Sequence, residues 1–323
     1  MTFRRSSWVS VGGLAVLVAG ILATTVFRQD ISDWLQLRNY KAPAVVAQLA
    51  SDTRMTDEGR RIFYVADPSI ESKQSFRTHC PVEETTIVLG CYDGKRIYVL
   101  KVDDERLAGV EQVTTAHEML HAAYQRLSSK DKTRINRLVT EAYAKQSDSR
   151  LTKTIDAYRA KDPSIVENEL HSILGTEVVD VGPELEAYYQ QYFTNRAVVV
   201  AYAQKYESVF TKLEEEVARY DTQLTNWKKQ IDALEPKVAE EYASVAAEQK
   251  RLDGLFAAKK FEQYNAAVPS FNAQVRAYNA SVGKLQKLIS DYNALVVKRN
   301  QVATSQADLT GQLNASYDAV ETQ

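Results

Sequence analysis

The stretch TTAHEMLHAAYQRL, residues 114–127, carries two of the four histidines in the chain, set four apart with a glutamate after the first. Its apolar residues recur at helical spacing, and apart from that glutamate the neighbours TTA before, ML between and AA after the histidines are uncharged. Residues four apart lie on one face of a helix, so His117 and His121 can direct their ring nitrogens at one point about 2 Å away. Glu118 lies one step round the same helix, close enough to address a water at that point without ligating a metal. Zinc draws the pKa of such a water toward neutrality, and a neighbouring carboxylate can take its proton during attack on a carbonyl. Uncharged flanks predict a buried helix, where low dielectric strengthens that polarisation. The helix is expected over residues 105–127.

Upstream the periodicity changes. TTIVLGCY (85–92) and RIYVLKV (96–102) are β-branched and aromatic, and an Asp-Gly turn signal lies between them. They predict a β-hairpin, with the edge of RIYVLKV open to an extended peptide by strand addition. The only two cysteines, Cys80 and Cys91, flank ten residues and are expected to form a disulfide. Such a loop is stabilised by roughly 3 kcal/mol in the chain-entropy model, and disulfides persist in oxidising compartments. Two buried thiols are the alternative; His79, Cys80 and Cys91 are too few for a zinc site. Helices are further expected over 30–51, 129–146, 150–160 and 163–175. A short helical start and a Pro turn are expected in MTDEGRRIFYVADPSIE (55–71), and breaks at Gly175 and Gly182-Pro183.

The histidine-bearing helix beside an edge strand resembles the zincin metallopeptidases, whose signature is HExxH. Tyr124 and Leu127 stand where the metzincin continuation needs Gly and His. The segment ENELHSILGTE (167–177) instead resembles the Asn-Glu-x-x-Ser segment of the gluzincin, thermolysin-like branch, through Asn168, Glu169 and Ser172. Covering about residues 85–180, the resemblance implies a Zn2+ ion held by His117, His121 and Glu169, with Glu118 as catalytic base. Glu177, His171 and Glu167 are the other local candidates for third ligand. The family's acidic residue four positions after that ligand is replaced by Ile173. His171, or Tyr188, Tyr189 and Tyr192, can stabilise a transition state as donors; each also reads as packing at a helix interface.

The two ends of the chain are of another kind. Residues 1–7 form a basic tail, and residues 8–27 carry no charge. Twenty residues in a helix rise about 30 Å, so a membrane anchor is expected there, with a cleaved signal peptide as the alternative. Arg4 and Arg5 place the N-terminus in the cytoplasm and the bulk of the chain outside a single-pass cell membrane.

From Phe210 to Val238, apolar residues alternate at steps of three and four, through Leu213, Val217, Tyr220, Leu224, Trp227, Ile231 and Leu234. A second seam runs from Tyr264 to Val296 and repeats YNAAV, FNAQV, YNASV and YNALV. Pro236 is expected to kink the first helix, and Gly254 lies in a looser stretch between the seams. The arrangement predicted is an antiparallel helical hairpin, each arm on the order of 70 Å long.

The expected architecture is mainly α (α+β). A small zincin-like domain with a short hairpin, residues 31–200, precedes a coiled-coil hairpin, residues 201–323. A net charge of −2 with no long basic run excludes a nucleic-acid surface. The reading is a membrane-anchored zinc metallopeptidase acting on a peptide or protein substrate, its coil docking a protein partner, self-associating or gating the cleft. A tethered coiled-coil scaffold with a structural metal is the alternative.

Overall fold

A computed structural model describes residues 28–80 and 87–315. The chain begins with α1 (Arg28–Leu37), α2 (Ala44–Asp52), α3 (Asp57–Val65), β1 (Ser69–Glu71) and α4 (Lys73–His79). Then come β2 (Gly90–Tyr92), β3 (Ile97–Leu100), α5 (Val110–Gln125), α6 (Ser129–Tyr143) and α7 (Ser149–Lys161). The remainder is α8 (Val166–Thr176), α9 (Pro183–Tyr189), α10 (Ala197–Ala257) and α11 (Phe261–Leu313), with single 3-10 turns at Glu105–Leu107 and Pro163–Ile165. It is a mainly helical chain with one small sheet and a long helical hairpin toward its C-terminus.

Short polar side chains start several of these helices. Thr56 accepts from the amide of Gly59 at 3.0 Å, Ser128 from Asp131 at 3.1 Å and Asp148 from Arg150 at 2.8 Å. Each such cap contributes about 1 kcal/mol. The helix expected over 30–51 is two helices, because Pro43 has no amide to donate and disfavours helical backbone at the residue before it.

The sheet has the order β1-β3-β2. β1 is parallel to β3, with Ile70 opposite Val99, and β2 is antiparallel to it, with Cys91 opposite Tyr98. The β2–β3 turn is closed by Asp93, whose carboxylate accepts from the amides of Lys95 at 2.8 Å and Arg96 at 2.7 Å. β3 is therefore central, not an edge, which corrects the expectation that RIYVLKV offers a free strand. Among the described residues the open antiparallel edge belongs to β2. All four residues of β3 are buried. Ile97 and Val99 face the main core, while Tyr98 and Leu100 pack with Phe76, Cys80 and Ala315. Burial on both faces explains the unbroken apolar run.

The chain divides into two compact units. The first holds the described residues up to Ser208 together with 310–315, and the second holds Val209–Leu309. In the first unit, Ala116, Met119, Leu120 and Ala123 of α5 pack with Leu170, Ile173 and Leu174 of α8 and with Ile135 and Val139 of α6. α8 ends at Thr176, one residue past Gly175, where a break is expected. A Cβ on Gly175 would lie 2.4 Å from Leu120 Cδ1 and 2.9 Å from Tyr189 Cε1. Glycine thus serves close approach of α8 to α5.

In the second unit the arms of α10 and α11 run antiparallel. Arg299 Nε donates to Asp221 at 2.9 Å, Gln306 to Glu214 at 3.4 Å, and the rings of Tyr242 and Tyr278 lie 5.9 Å apart. The residues of both seams are half-buried and Ile231 is fully so, as two helices covering one stripe each require. The helices continue through Pro236 and Pro269 without interruption, seam packing on either side holding each across the missing bond. The turn falls at 258–260, within the looser stretch between the seams, and Lys259 takes the left-handed conformation with φ 55°.

The expected single-pass membrane placement is corrected. No described helix is long and apolar enough to cross a membrane. Residues 8–27, on which that expectation rested, lie outside the described residues.

Candidate metal centre

His117 and His121 project from the same face of α5. Their Nε2 atoms are 3.0 Å apart, and their ring planes meet at 78°. Across from them, α8 presents Glu169, with Oε2 3.7 Å from His117 Nε2 and Oε1 3.7 Å from His121 Nε2. The ligand atoms of these three residues all lie within 4.8 Å of one another. Tetrahedral zinc with bonds of about 2.0–2.1 Å separates its ligands by about 3.4 Å, which the observed 3.0 and 3.7 Å bracket. Glu169 Oε2 is buried without a hydrogen-bond partner. Two imidazoles and an orphaned carboxylate oxygen, facing one point in a buried place, make a donor set that fits a divalent cation.

The close packing at Gly175 brings α8 onto α5 so that Glu169 reaches the histidines. From the next turn of α8, Ser172 Oγ lies 3.2 Å from His121 Nδ1 and fixes that ring from behind. Ile173, at the position where the resembled family has an acidic residue, is in the core. The hydroxyl of Tyr158 on α7 interacts with Glu169, each altering the other's ionisation.

Electrostatics follow from this crowding. Burial opposes the His117 imidazolium, but Glu169 beside it, with Glu118 and Glu177 beyond, outweighs burial and raises its pKa to about 9. Burial and the charge of His117 push His121 down to about 4. Burial opposes ionisation of Glu169 too, yet the histidines and Tyr158 hold its carboxyl below the usual range. Glu118, 5% exposed, is pushed up to about 7 by burial, with His117 opposing. Burial and the nearby carboxylates of Glu169 and Glu118 keep the Tyr158 hydroxyl protonated well above its ordinary pKa.

The other residues singled out in the sequence fall elsewhere. Glu177 follows the end of α8 and pairs with Arg150 at 2.9 Å, and Arg150 also holds Glu207 at 2.9 Å. His171 lies two residues from Glu169 along α8, buried among Tyr124, Tyr188 and Tyr189. Its Nε2 is 2.9 Å from the Tyr188 hydroxyl, which lies 3.2 Å from that of Tyr192. Tyr189 donates to the His171 carbonyl at 2.6 Å. These groups form a packed aromatic network, and burial drives His171 down to about 3. Glu167 is not in the metal-ligand group. Cys80 and Cys91 form the expected disulfide, their Cα atoms 5.9 Å apart.

Two residues escaped the sequence reading. Tyr158 sits in the charged helix segment IDAYRAK, where nothing marks it. Gly90 looked like an ordinary strand residue, yet its backbone lies on Glu118: a Cβ there would come within 2.8 Å of Glu118 Oε1. Comparisons with protein-family models, curated proteins and solved structures returned no match.

Proposed function

We propose that this chain is a zinc-dependent peptidase of the HExxH type, with His117, His121 and Glu169 as ligands and Glu118 as general base. The observation that carries the reading is the convergence of those three ligand atoms within 4.8 Å, beside a buried glutamate poised at about 7. Zinc held there supplies Lewis acidity toward a water and a carbonyl. Glu118, its carboxylate favoured by the charge of a bound cation, takes the proton of the attacking water and passes it to the departing amine. Tyr158 keeps its proton and donates to Glu169, steadying that carboxylate as a ligand.

β2 supplies an edge for the substrate. Leu100 N donates to Leu89 O at 2.8 Å and Asp93 N to Arg96 O at 3.1 Å. Paired residues alternate along an antiparallel ladder, so Cys91 bonds inward while the main-chain groups of Gly90 and Tyr92 turn to the open side. An extended peptide pairing there would lie over the histidine-bearing face of α5.

The test is zinc content and hydrolysis of a quenched-fluorescent peptide library, for wild type and Glu118→Gln. The expected result is one zinc per chain in both, with hydrolysis in wild type alone. Equal hydrolysis in the variant removes Glu118 from the mechanism. Metal without hydrolysis in the wild type favours a scaffold with a structural ion.

A further inference from the structure

β2 has three residues, and each is tied to a different neighbour. Gly90 rests on α5: a Cβ there would lie 2.6 Å from Thr114 Cγ2, 2.8 Å from Glu118 Cγ and 2.8 Å from Glu118 Oε1. Cys91 is joined by its disulfide to Cys80, which directly follows α4. The Tyr92 hydroxyl donates to Gln125 Oε1 at 2.5 Å, in the last turn of α5. Thr114, Glu118 and Gln125 share one face of that helix, so β2 lies along it with Glu118 beneath.

Three residues of edge strand are marginal on ladder bonds alone. The covalent tie enters at the middle residue, between the glycine that touches Glu118 and the tyrosine that closes the far end. Its other end is firmly set, since Cys80 packs with Phe76, Tyr98 and Leu100. Cys80 is 1% exposed and Cys91 half-buried, so Cys91 is the more exposed of the two residues.

We propose that the Cys80–Cys91 disulfide is a positioning element of the metal centre: it clamps β2 on Glu118, and its reduction slows peptide hydrolysis while metal remains bound. The chemistry is thiol–disulfide exchange with an external dithiol. One thiolate attacks a sulfur, the S–S bond breaks, and the second thiol resolves the mixed disulfide. Two electrons and two protons pass to Cys80 and Cys91, and the dithiol leaves as its own disulfide. No metal ligand takes part. The inference rests on the peptidase reading for its kinetic consequence, but the clamp itself is independent of hydrolysis.

The experiment uses the full chain, oxidised, then reduced by a dithiol that is removed before assay, and finally reoxidised. Zinc content, amide hydrogen exchange, kcat and KM are read on each. Reduction is expected to speed exchange at the inward-bonded amides of Cys91 and Asp93 but not at 116–121, to leave zinc in place, and to lower kcat on the order of 10–100-fold with KM little changed. Reoxidation restores kcat. Gly90→Ala, which keeps the disulfide, is the second variant: its Cβ displaces Glu118, and kcat falls with zinc retained. Unchanged exchange in β2, loss of zinc on reduction, or full kcat with a loosened strand overturns the proposal. If oxidised wild type hydrolyses nothing, the switch falls with the peptidase reading, and the exchange data still decide whether the disulfide clamps the strand. If wild type is active and reduction leaves kcat unchanged, the switch alone fails.

Discussion

Ser172 Oγ approaches Nδ1 of His121 to 3.2 Å while Nε2 of the same ring faces His117 and Glu169. The two nitrogens of His121 thus have separate surroundings, one turned to His117 and Glu169 and one held by the helix that also carries Glu169. Such outer partners set the ring's tautomer and orientation, and their removal weakens metal affinity by about 10–100-fold. Ser172→Ala is expected to lower zinc affinity within that range with the fold intact, as read by competition with a chromophoric chelator. An unchanged affinity would mean that the ring is oriented by its packing alone.

A divalent cation bound at the proposed centre would have to displace a proton from His117. With that imidazole at about 9 and His121 at about 4, the metal-free centre near pH 7 holds one proton on His117 and none on His121. Glu169 is already ionised, its carboxyl being held low. Binding therefore releases about one proton from the ligands, and affinity rises about tenfold per pH unit until pH passes the pKa of His117. Below that pKa, acid opposes binding; above it, the dependence flattens. Calorimetry near pH 7 in buffers of different ionisation enthalpy measures the proton count directly.

How much of this was legible depended on range along the chain. HExxH fixes its own geometry within one helical turn, so His117, Glu118 and His121 could be placed from spacing alone. The ten-residue Cys80–Cys91 interval and the heptad seams are equally local. Glu169 was within reach only through the resemblance of Asn168, Glu169 and Ser172 to the gluzincin segment, with Glu177, His171 and Glu167 left as alternatives. Tyr158 and Gly90 were not, since each matters through a neighbour far away in sequence and lies in a segment with no distinctive composition. β1 was missed for a related reason. Ser-Ile-Glu is too short to show alternation, and it is strand only because β3 offers it a parallel edge. RIYVLKV was mistaken for an edge because its continuous apolar run, which marks burial on both faces, was read only as strand.

Gly175→Ala tests whether helix approach builds the centre. The added methyl would meet Leu120 Cδ1 at 2.4 Å and the Tyr189 ring at 2.9 Å, and both side chains are fully buried. Overpacking of this kind destabilises by about 1–3 kcal/mol. Relief comes from α8 moving off α5, which carries Glu169 away from the histidines. The expected outcome is a lower midpoint in denaturant together with weaker zinc binding. Alanine is the better helix former, so unchanged or raised stability would show that α8 does not need that closeness.

Arg150 stands between two carboxylates, Glu177 and Glu207, at 2.9 Å from each, and one guanidinium cannot neutralise both. Burial, with the charge of Glu177 adding and Arg150 opposing, raises Glu207 to about 7. A folded-state pKa above the unfolded one means the folded chain prefers the protonated acid. That contribution is complete below the unfolded pKa of about 4.3 and is lost as pH rises through about 7. Glu207→Gln keeps a neutral side chain there at every pH. Its stability relative to wild type should therefore improve from pH 5 to pH 8, as read by denaturant unfolding at each pH. A difference that stays flat, or runs the other way, would mean that Glu207 is ionised in the folded chain throughout and that its pairing with Arg150 outweighs burial.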